Sequence, residues 1–335
     1  MVIGQLVNFP KMMLSHSIVA VIPSGGRLAC PYGSCCREVL EMEARRGENM
    51  TAQVVTIDFH VTCECNQECP YCWGPQGFVP PVDAFTAKRI ISRVKEVGAR
   101  RIVFTGGDPL LRPDIGVLIR YAKGNGLQVA LSTTGDELTT TFLEEFGPHI
   151  DLVSLPLDGA TEEVSARTKG KGHYAAVLRA LDRLQERPQI DVKLCTPVTR
   201  HNVDDVPNIV RLAEHYARTT EARVFYNIFQ AFPRSMQPRE WGQLLVTDEE
   251  FRVLEQQLVG RTSVHINFLN HATLDRLYVM IFPDGSLVVP SGPDFYTYGP
   301  FLDIEDLNAV LAASPFDAAK HLWHSRGWEK VGSIR

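Results

Sequence analysis

A chain of 335 residues, 44% hydrophobic and 22% charged, can bury the core of one large domain with extensions, or of two smaller ones. A formal net charge of −5 excludes a broad electrostatic attraction to nucleic acid or anionic lipid. Of eight cysteines, four crowd between Cys63 and Cys72, which argues against a disulfide framework, for metal, and for the reducing cytoplasm.

Residues 1–50 read as an N-terminal extension, with Gly/Pro punctuation, Cys30, Cys35 and Cys36, and a charged run from Glu38 to Glu48. Its mildly apolar stretch Met12–Ile22 is far too short to span a membrane. From residue 53 a βα alternation begins. The pattern predicts strands over 53–61, 101–105, 127–132, 151–156, 190–196 and 222–229. It predicts helices over Ala84–Val97, with Ala87, Ile90, Ile91, Val94 and Val97 on one face, and over 114–123, with Asp114 as N-cap. Further helices fit Thr139–Phe146, Tyr174–Glu186, Asp204–Ala217 and Asp248–Leu258.

Six βα units in series imply a parallel sheet with right-handed crossovers, its strands apolar on both faces and its chemistry at their C-terminal ends. The organisation expected is an α/β core barrel over 51–245, with a C-terminal extension over 246–335 covering its mouth. In that extension Leu277–Phe282 and Ser286–Val289 read as a hairpin turning at Asp284-Gly285.

The first strand leads into Cys65-Asn66-Gln67-Glu68-Cys69-Pro70-Tyr71-Cys72, a C-x3-C-x2-C run. Three thiolates on one loop can hold three irons of a cubane cluster and leave the fourth open to a ligand. The second strand ends in Thr105-Gly106-Gly107-Asp108-Pro109, where paired glycines let backbone approach a ligand, or simply make a tight turn.

Together these two motifs resemble the radical S-adenosylmethionine superfamily over roughly residues 53–230. The resemblance implies a partial (β/α)6 TIM-like barrel. It implies a [4Fe-4S] cluster on Cys65, Cys69 and Cys72, and S-adenosylmethionine on the open iron. It also implies a 5′-deoxyadenosyl radical that abstracts hydrogen from the substrate, and a flavodoxin- or ferredoxin-type reductant. By the same likeness Gly106, Gly107 and Asp108 meet the methionine amine, although Glu is commoner than Asp at the last position. Ser132 or Thr134, after the third strand, contacts the cofactor or closes a turn. Ser154, after the fourth, meets ribose or carboxylate, and Asp158 there is an alternative helix cap. Arg167 or Lys169 meets the methionine carboxylate. Tyr71 or Trp73 lies near the adenine.

Cys63 reads as a bystander and Cys195 as a small core residue. With Cys65, Cys69 and Cys72, Cys63 offers a rival reading as a structural zinc knot. No cysteine follows Cys195, so an all-cysteine auxiliary cluster in the C-terminal region is excluded. Redox-neutral or hydrogen-quenched chemistry is favoured. A looser resemblance to viperin-type nucleotide dehydratases rests on Asp58-Phe59-His60-Val61-Thr62, Phe229, the Asp248–Phe251 helix start and Phe301–Ile304. Because Asp58 repels a triphosphate, the expected substrate is a nucleoside, a sugar nucleotide or another small polar metabolite; a peptide is the alternative. Asp58, Tyr226, Asn227 and Tyr278 are the substrate-side candidates, with Asp275, Tyr296 and Tyr298 behind them.

Overall fold

The computed structural model describes residues 54–75, 77–233 and 241–327. The expectations for residues 1–50, including Cys30, Cys35 and Cys36, lie outside the described residues. The sequence predicts six parallel strands, and all six are present: β1 (Thr56–Thr62), β2 (Arg101–Gly106), β3 (Gln128–Ser132), β4 (Leu152–Pro156), β5 (Asp191–Val198) and β6 (Val224–Gln230). They pair in that order, each parallel to the next. Two more parallel strands flank them. β7 (Ile266–Leu269) lies beside β6, and β8 (Met280–Ile281) lies on the other side of β1. β7, at four residues, is too short for a period-two pattern to be read from sequence, whereas β8 lies within the predicted strand Leu277–Phe282. β8 and β9 (Ser286–Ser291) pair antiparallel across Asp284-Gly285, so the expected hairpin exists and is joined to the main sheet, and β10 (Asp294–Pro300) continues antiparallel beyond β9. The sheet is a partial TIM-like barrel whose seam lies between β7 and β8.

The crossover helices form the outer layer. In α1 (Ala84–Glu96) Asp83 caps the start, accepting from the Thr86 N–H at 2.7 Å, and Ala87, Ile90, Ile91 and Val94 are buried as the periodicity requires. They share one buried core with Ile57, Phe59 and Val61 of β1, where each Val, Ile or Phe side chain contributes about 1.5–3 kcal/mol by burial. α2 (Ile115–Gly124) begins after Asp114, but Asp114 does not cap it. Its carboxylate pairs with the Arg112 guanidinium at 2.6 and 3.1 Å, and Arg112 donates to the Val61 carbonyl at 2.9 Å. A strong buried cation has taken the carboxylate from the helix end. α3 (Thr140–Phe146), α4 (His173–Gln185), α5 (Val206–Thr219) and α6 (Asp248–Leu258) complete the predicted set. Thr247 and Glu250 form a reciprocal capping box at the start of α6. α7 (Leu307–Ala312) and α8 (Ala318–Gly327) end the described chain.

The strands are not apolar on both faces. Ile57, Phe59 and Val61 point outward into the core, whereas Thr56, Asp58 and His60 point into the barrel. The same alternation sends Arg101 and Thr105 of β2, Lys193 and Cys195 of β5, and Asn227 of β6 inward. The interior is therefore a cavity lined by polar and apolar side chains together, and not a second core.

α8 closes the barrel at the strands' N-terminal end, opposite the mouth that the C-terminal extension was expected to cover. His321 Nε2 accepts from the N–H groups of Val55 (2.9 Å) and Thr56 (3.3 Å), while Nδ1–H donates to the Leu277 carbonyl at 2.8 Å. Arg101 donates to the carbonyl of Ser325 at 3.4 Å. Among the described residues no helix is long and apolar enough to cross a membrane.

His321 can accept these bonds only when neutral. Burial lowers its pKa to about 4, with its bond to Leu277 opposing and Arg101 reinforcing. The unfolded value is higher, so its contribution to stability is complete above about pH 6.5 and is lost as pH falls toward 4. That loss is about 2 kcal/mol at about pH 5. The melting temperature should drop between neutral pH and about 5, and by less in a His321→Gln variant; equal drops in both would remove His321 as the cause.

Candidate active site

The cysteine loop leaves β1 at Thr62 and lies against the end of β2. Cys69 is buried, Cys72 half-buried and Cys65 exposed. The Cys72 N–H donates to the Cys69 carbonyl at 3.1 Å, a turn that holds the second and third thiols on one side. Lys169 Nζ stands 3.0 Å from Cys69 Sγ. Burial pushes the Cys65 thiol up to about 11 and raises that of Cys69, against the pull of Lys169. Iron bound here would reverse that preference, because it ligates thiolates. Among the described residues no three His, Cys, Asp or Glu side chains converge on a single-ion position. The Cys63 sulfur is engaged elsewhere, accepting from the Val79 N–H at 3.3 Å and lying 3.4 Å from its carbonyl. Three soft sulfur donors with a fourth turned away fit a cluster held at three corners.

The glycine pair serves the loop. A Cβ on Gly106 would lie 2.1 Å from the Thr62 carbonyl oxygen, and one on Gly107 would lie 2.0 Å from that of Glu64. The Gly107 N–H donates to Thr62 O at 2.9 Å and the Asp108 N–H to Glu64 O at 2.7 Å. The loop backbone thus runs on the floor that the two glycines leave open, while their other side lines the cavity.

Asp108 is fully buried and does not line the cavity. Its carboxylate accepts from Leu110 N–H (3.0 Å), Thr133 Oγ1 (2.8 Å), Thr134 Oγ1 (2.5 Å) and Thr134 N–H (3.3 Å). It ties the end of β2 to the end of β3, a task that the shorter acid reaches. Asp108→Ala should strand several buried donors at about 1–3 kcal/mol each and lower the melting temperature by several degrees; an unchanged melting temperature would sink that role.

The remaining candidates separate cleanly. Trp73, Gly106, Gly107, Ser132, Thr134, Ser154 and Lys169 line one cavity of about 660 Å³, together with Asp58, Asn227 and Tyr278. Tyr226 does not. It is fully buried on the outer face of β6, its hydroxyl 2.8 Å from Thr196 Oγ1, because its neighbour Asn227 points inward and strand side chains alternate. Arg167 faces solvent, pairing with Glu163 at 3.2 Å, so of the two basic candidates only Lys169 reaches the cavity. Tyr71 also lies off the cavity lining, its hydroxyl donating to Asp158 and its ring 5.5 Å from Lys169 Nζ. Asp158 is no helix cap. It also accepts from Thr168 Oγ1 at 2.8 Å, and its charge helps hold Lys169 protonated against the opposing effect of burial. Cys195, expected in the core, lines the cavity 3.4 Å from Ser154 Oγ. Asp275, Tyr296 and Tyr298 do not line the cavity; Asp275 accepts from the Gly292 N–H at 2.7 Å.

Two features escaped sequence reasoning. Gln67, between the first two cysteines, donates to Asp136 at 2.9 Å and accepts from the Gly170 N–H at 2.8 Å, pinning the loop across β3 and β4. Its position inside the cysteine run was the only signal. The second is a set of rings at the seam. Trp73 meets Tyr278 edge-on at 4.5 Å and Phe232 at 6.3 Å, and Phe232 meets His271 at 4.5 Å. Phe232 follows β6, His271 follows β7 and Tyr278 precedes β8, so rings from both flanks of the seam reach Trp73.

Residues 59–213 match the family described as the Radical SAM superfamily. The chain is 29% identical over 211 residues to "Mycofactocin maturase MftC" of Mycolicibacterium smegmatis, covering 62% of this chain and 52% of that protein. It is 33% identical over 174 residues to "GTP 3',8-cyclase" of Chlorobaculum tepidum, covering 49% and 52%. The chain thus spans about half the length of these curated relatives. The fold is similar to that of Streptococcus suis SuiB bound to S-adenosylmethionine, with a TM-score of 0.63 at 13% identity over 87% of this chain and 73% of that one.

Proposed function

Because the chain belongs to the radical S-adenosylmethionine superfamily, whose enzymes use a [4Fe-4S] cluster and S-adenosylmethionine, we propose that it abstracts a hydrogen atom from a small polar metabolite held inside its barrel. The observation that carries this reading is the cavity. It has the volume of a small-molecule site, its largely apolar lining carries a set of convergent polar and charged side chains, its mouth carries the cysteine loop, and α8 closes its far end. A nucleoside, a sugar nucleotide or a molecule of similar size suits such a space.

Cys65, Cys69 and Cys72 would hold the cluster. Gly106, Gly107, Ser132, Thr134, Ser154 and Lys169 would hold S-adenosylmethionine, with Trp73 at its edge. When bound, the pair supplies a radical strong enough to break an unactivated C–H bond. The chain's own residues do the rest. Lys169 offers a cation beside Cys69, where a carboxylate can be bound. The ring cluster on Trp73 closes the seam against water and oxygen. The inward side chains of β1, β5 and β6 orient the substrate. A flavodoxin- or ferredoxin-type protein is the proposed electron donor.

A second reading, maturation of a peptide, draws on the likeness to a protein named a maturase. The closed far end of the barrel favours the smaller substrate. The test is anaerobic reconstitution with iron and sulfide, then reduction with S-adenosylmethionine present. Formation of 5′-deoxyadenosine is expected, accelerated by a nucleoside, sugar nucleotide or other small polar compound more than by any peptide. A colourless protein with one tightly held zinc and no 5′-deoxyadenosine would end the proposal.

A further inference from the structure

Four formally charged side chains line the cavity: Arg101 and Lys193 toward its closed half, Asp58 facing them, and Lys169 at the mouth. Two of them are committed. Arg101 donates to Thr56 Oγ1 (3.2 Å), Gln128 Oε1 (3.0 Å) and the Ser325 carbonyl. Lys169 is bonded to Cys69. Asp58 and Lys193 are different. Among the described residues neither side chain makes a hydrogen bond or an ion pair, although each feels the other's field.

They sit on β1 and β5, on opposite walls of the barrel. The strand registers run from Asp58 to Val103, Ala130 and Leu152, and Lys193 pairs with Ser154, one inward position above Leu152. Between the two charges the wall is apolar: Ala130, Leu152 and Phe225 form a small buried cluster with Val103. The nearby histidines do not serve as counter-ions. Burial lowers His60 to about 4 and, helped by Lys193, lowers His324 to about 3. Burial likewise pushes the Asp58 carboxyl up to about 6, with Lys193 and then Arg101 pulling it back. A barrel that encloses a carboxylate and an ammonium, neither hydrogen-bonded nor in a close ion pair, bears a cost that a bound molecule of matching charges would remove.

We propose that Asp58 and Lys193 form an ionic clamp for a small zwitterion, a free amino acid whose ammonium meets Asp58, whose carboxylate meets Lys193 and whose apolar part lies on Val103, Ala130, Leu152 and Phe225. This rests on the reading of the cavity as a substrate site and narrows its substrate class. The same Asp58 disfavours a polyphosphate.

The test uses the reconstituted protein with S-adenosylmethionine bound. Its melting temperature is read with each of the common L-amino acids at millimolar concentration, and with the N-acetyl and carboxamide forms of any that raise it. The clamp predicts that at least one free amino acid raises the melting temperature and that both blocked forms bind at least tenfold more weakly. In Lys193→Gln the free acid and its carboxamide should bind equally; in Asp58→Asn the free acid and its N-acetyl form should bind equally. Without ligand, neither variant should melt lower than the parent, since each removes an enclosed charge that makes no hydrogen bond or close ion pair; Lys193→Met is the second variant, keeping the stem's packing. Should each single variant melt lower and the double variant recover, the two residues are a structural ion pair and the clamp is wrong. It is equally wrong if no free amino acid binds or if blocked forms bind as well. Absence of 5′-deoxyadenosine under every condition would overturn the radical reading, while these binding shifts would still decide the clamp. Its acceleration by nucleosides with no amino acid binding would overturn the clamp alone.

Discussion

Cys69→Ala should leave a folded protein that holds little iron and makes no measurable 5′-deoxyadenosine, a loss of at least about 100-fold against the parent. The cost to the fold is small, because the Cys69 thiol packs at a loop base and not in the main core cluster. The cost to the site is large for two reasons. The other thiol of this loop among the described residues, that of Cys63, is engaged with the Val79 backbone and is not a ready replacement. The substitution also removes the sulfur that Lys169 touches, leaving a half-buried ammonium with Asp158 and Cys72 to balance it. Iron content, the visible charge-transfer absorbance and 5′-deoxyadenosine check this together. Retained absorbance and turnover in Cys69→Ala would show that the loop does not carry the cluster.

Gly107→Ala should be nearly as damaging, although it touches no ligand. Its added methyl would stand 2.0 Å from the Glu64 carbonyl oxygen and 2.7 Å from that of Cys63, so the loop backbone must move. Moving it breaks the bonds from the Gly107 and Asp108 N–H groups that hold the loop on β2. Overpacking of this kind costs about 1–3 kcal/mol in stability, and a displacement near 1 Å at a catalytic loop costs about 100-fold in rate. Gly107 has no left-handed backbone angle, so the effect would be steric alone. Gly106, with φ at 144°, would mix steric and conformational strain and is the poorer probe. Iron binding and turnover should fall together. Normal turnover in Gly107→Ala would mean that the loop tolerates the shift and that the glycines matter for some other contact.

The main elements were legible because their patterns are local. The Ala87–Val94 stripe marks α1 from within its own sequence. β7 was not legible, and β8, read as the first arm of a hairpin, gave no sign that it would also pair parallel with β1, since that contact exists only because β1 offers an unpaired edge. The site divides in the same way. The three thiols lie within eight residues, so their spacing alone identifies them. Tyr226 was misread although the information was present: Asn227 and Tyr226 cannot both face the cavity on one strand. Choosing between Arg167 and Lys169 needed the fold, because only the loop's path decides which side chain finds Glu163 in solvent and which finds Cys69.

By itself the amino-acid order determined the chemistry-bearing loop, the βα rhythm and the family, because each depends on residues close together in the chain. The tertiary structure alone decided what the barrel encloses. Thr56, Asp58, Lys193, Cys195 and Asn227 come from strands far apart in sequence, and they line one cavity only when pairing in strict order curls the sheet and turns alternate side chains inward. It also decided where the last helix goes, since His321 recognises backbone N–H groups at Val55 and Thr56, more than two hundred residues away, which carry no side-chain signature to read.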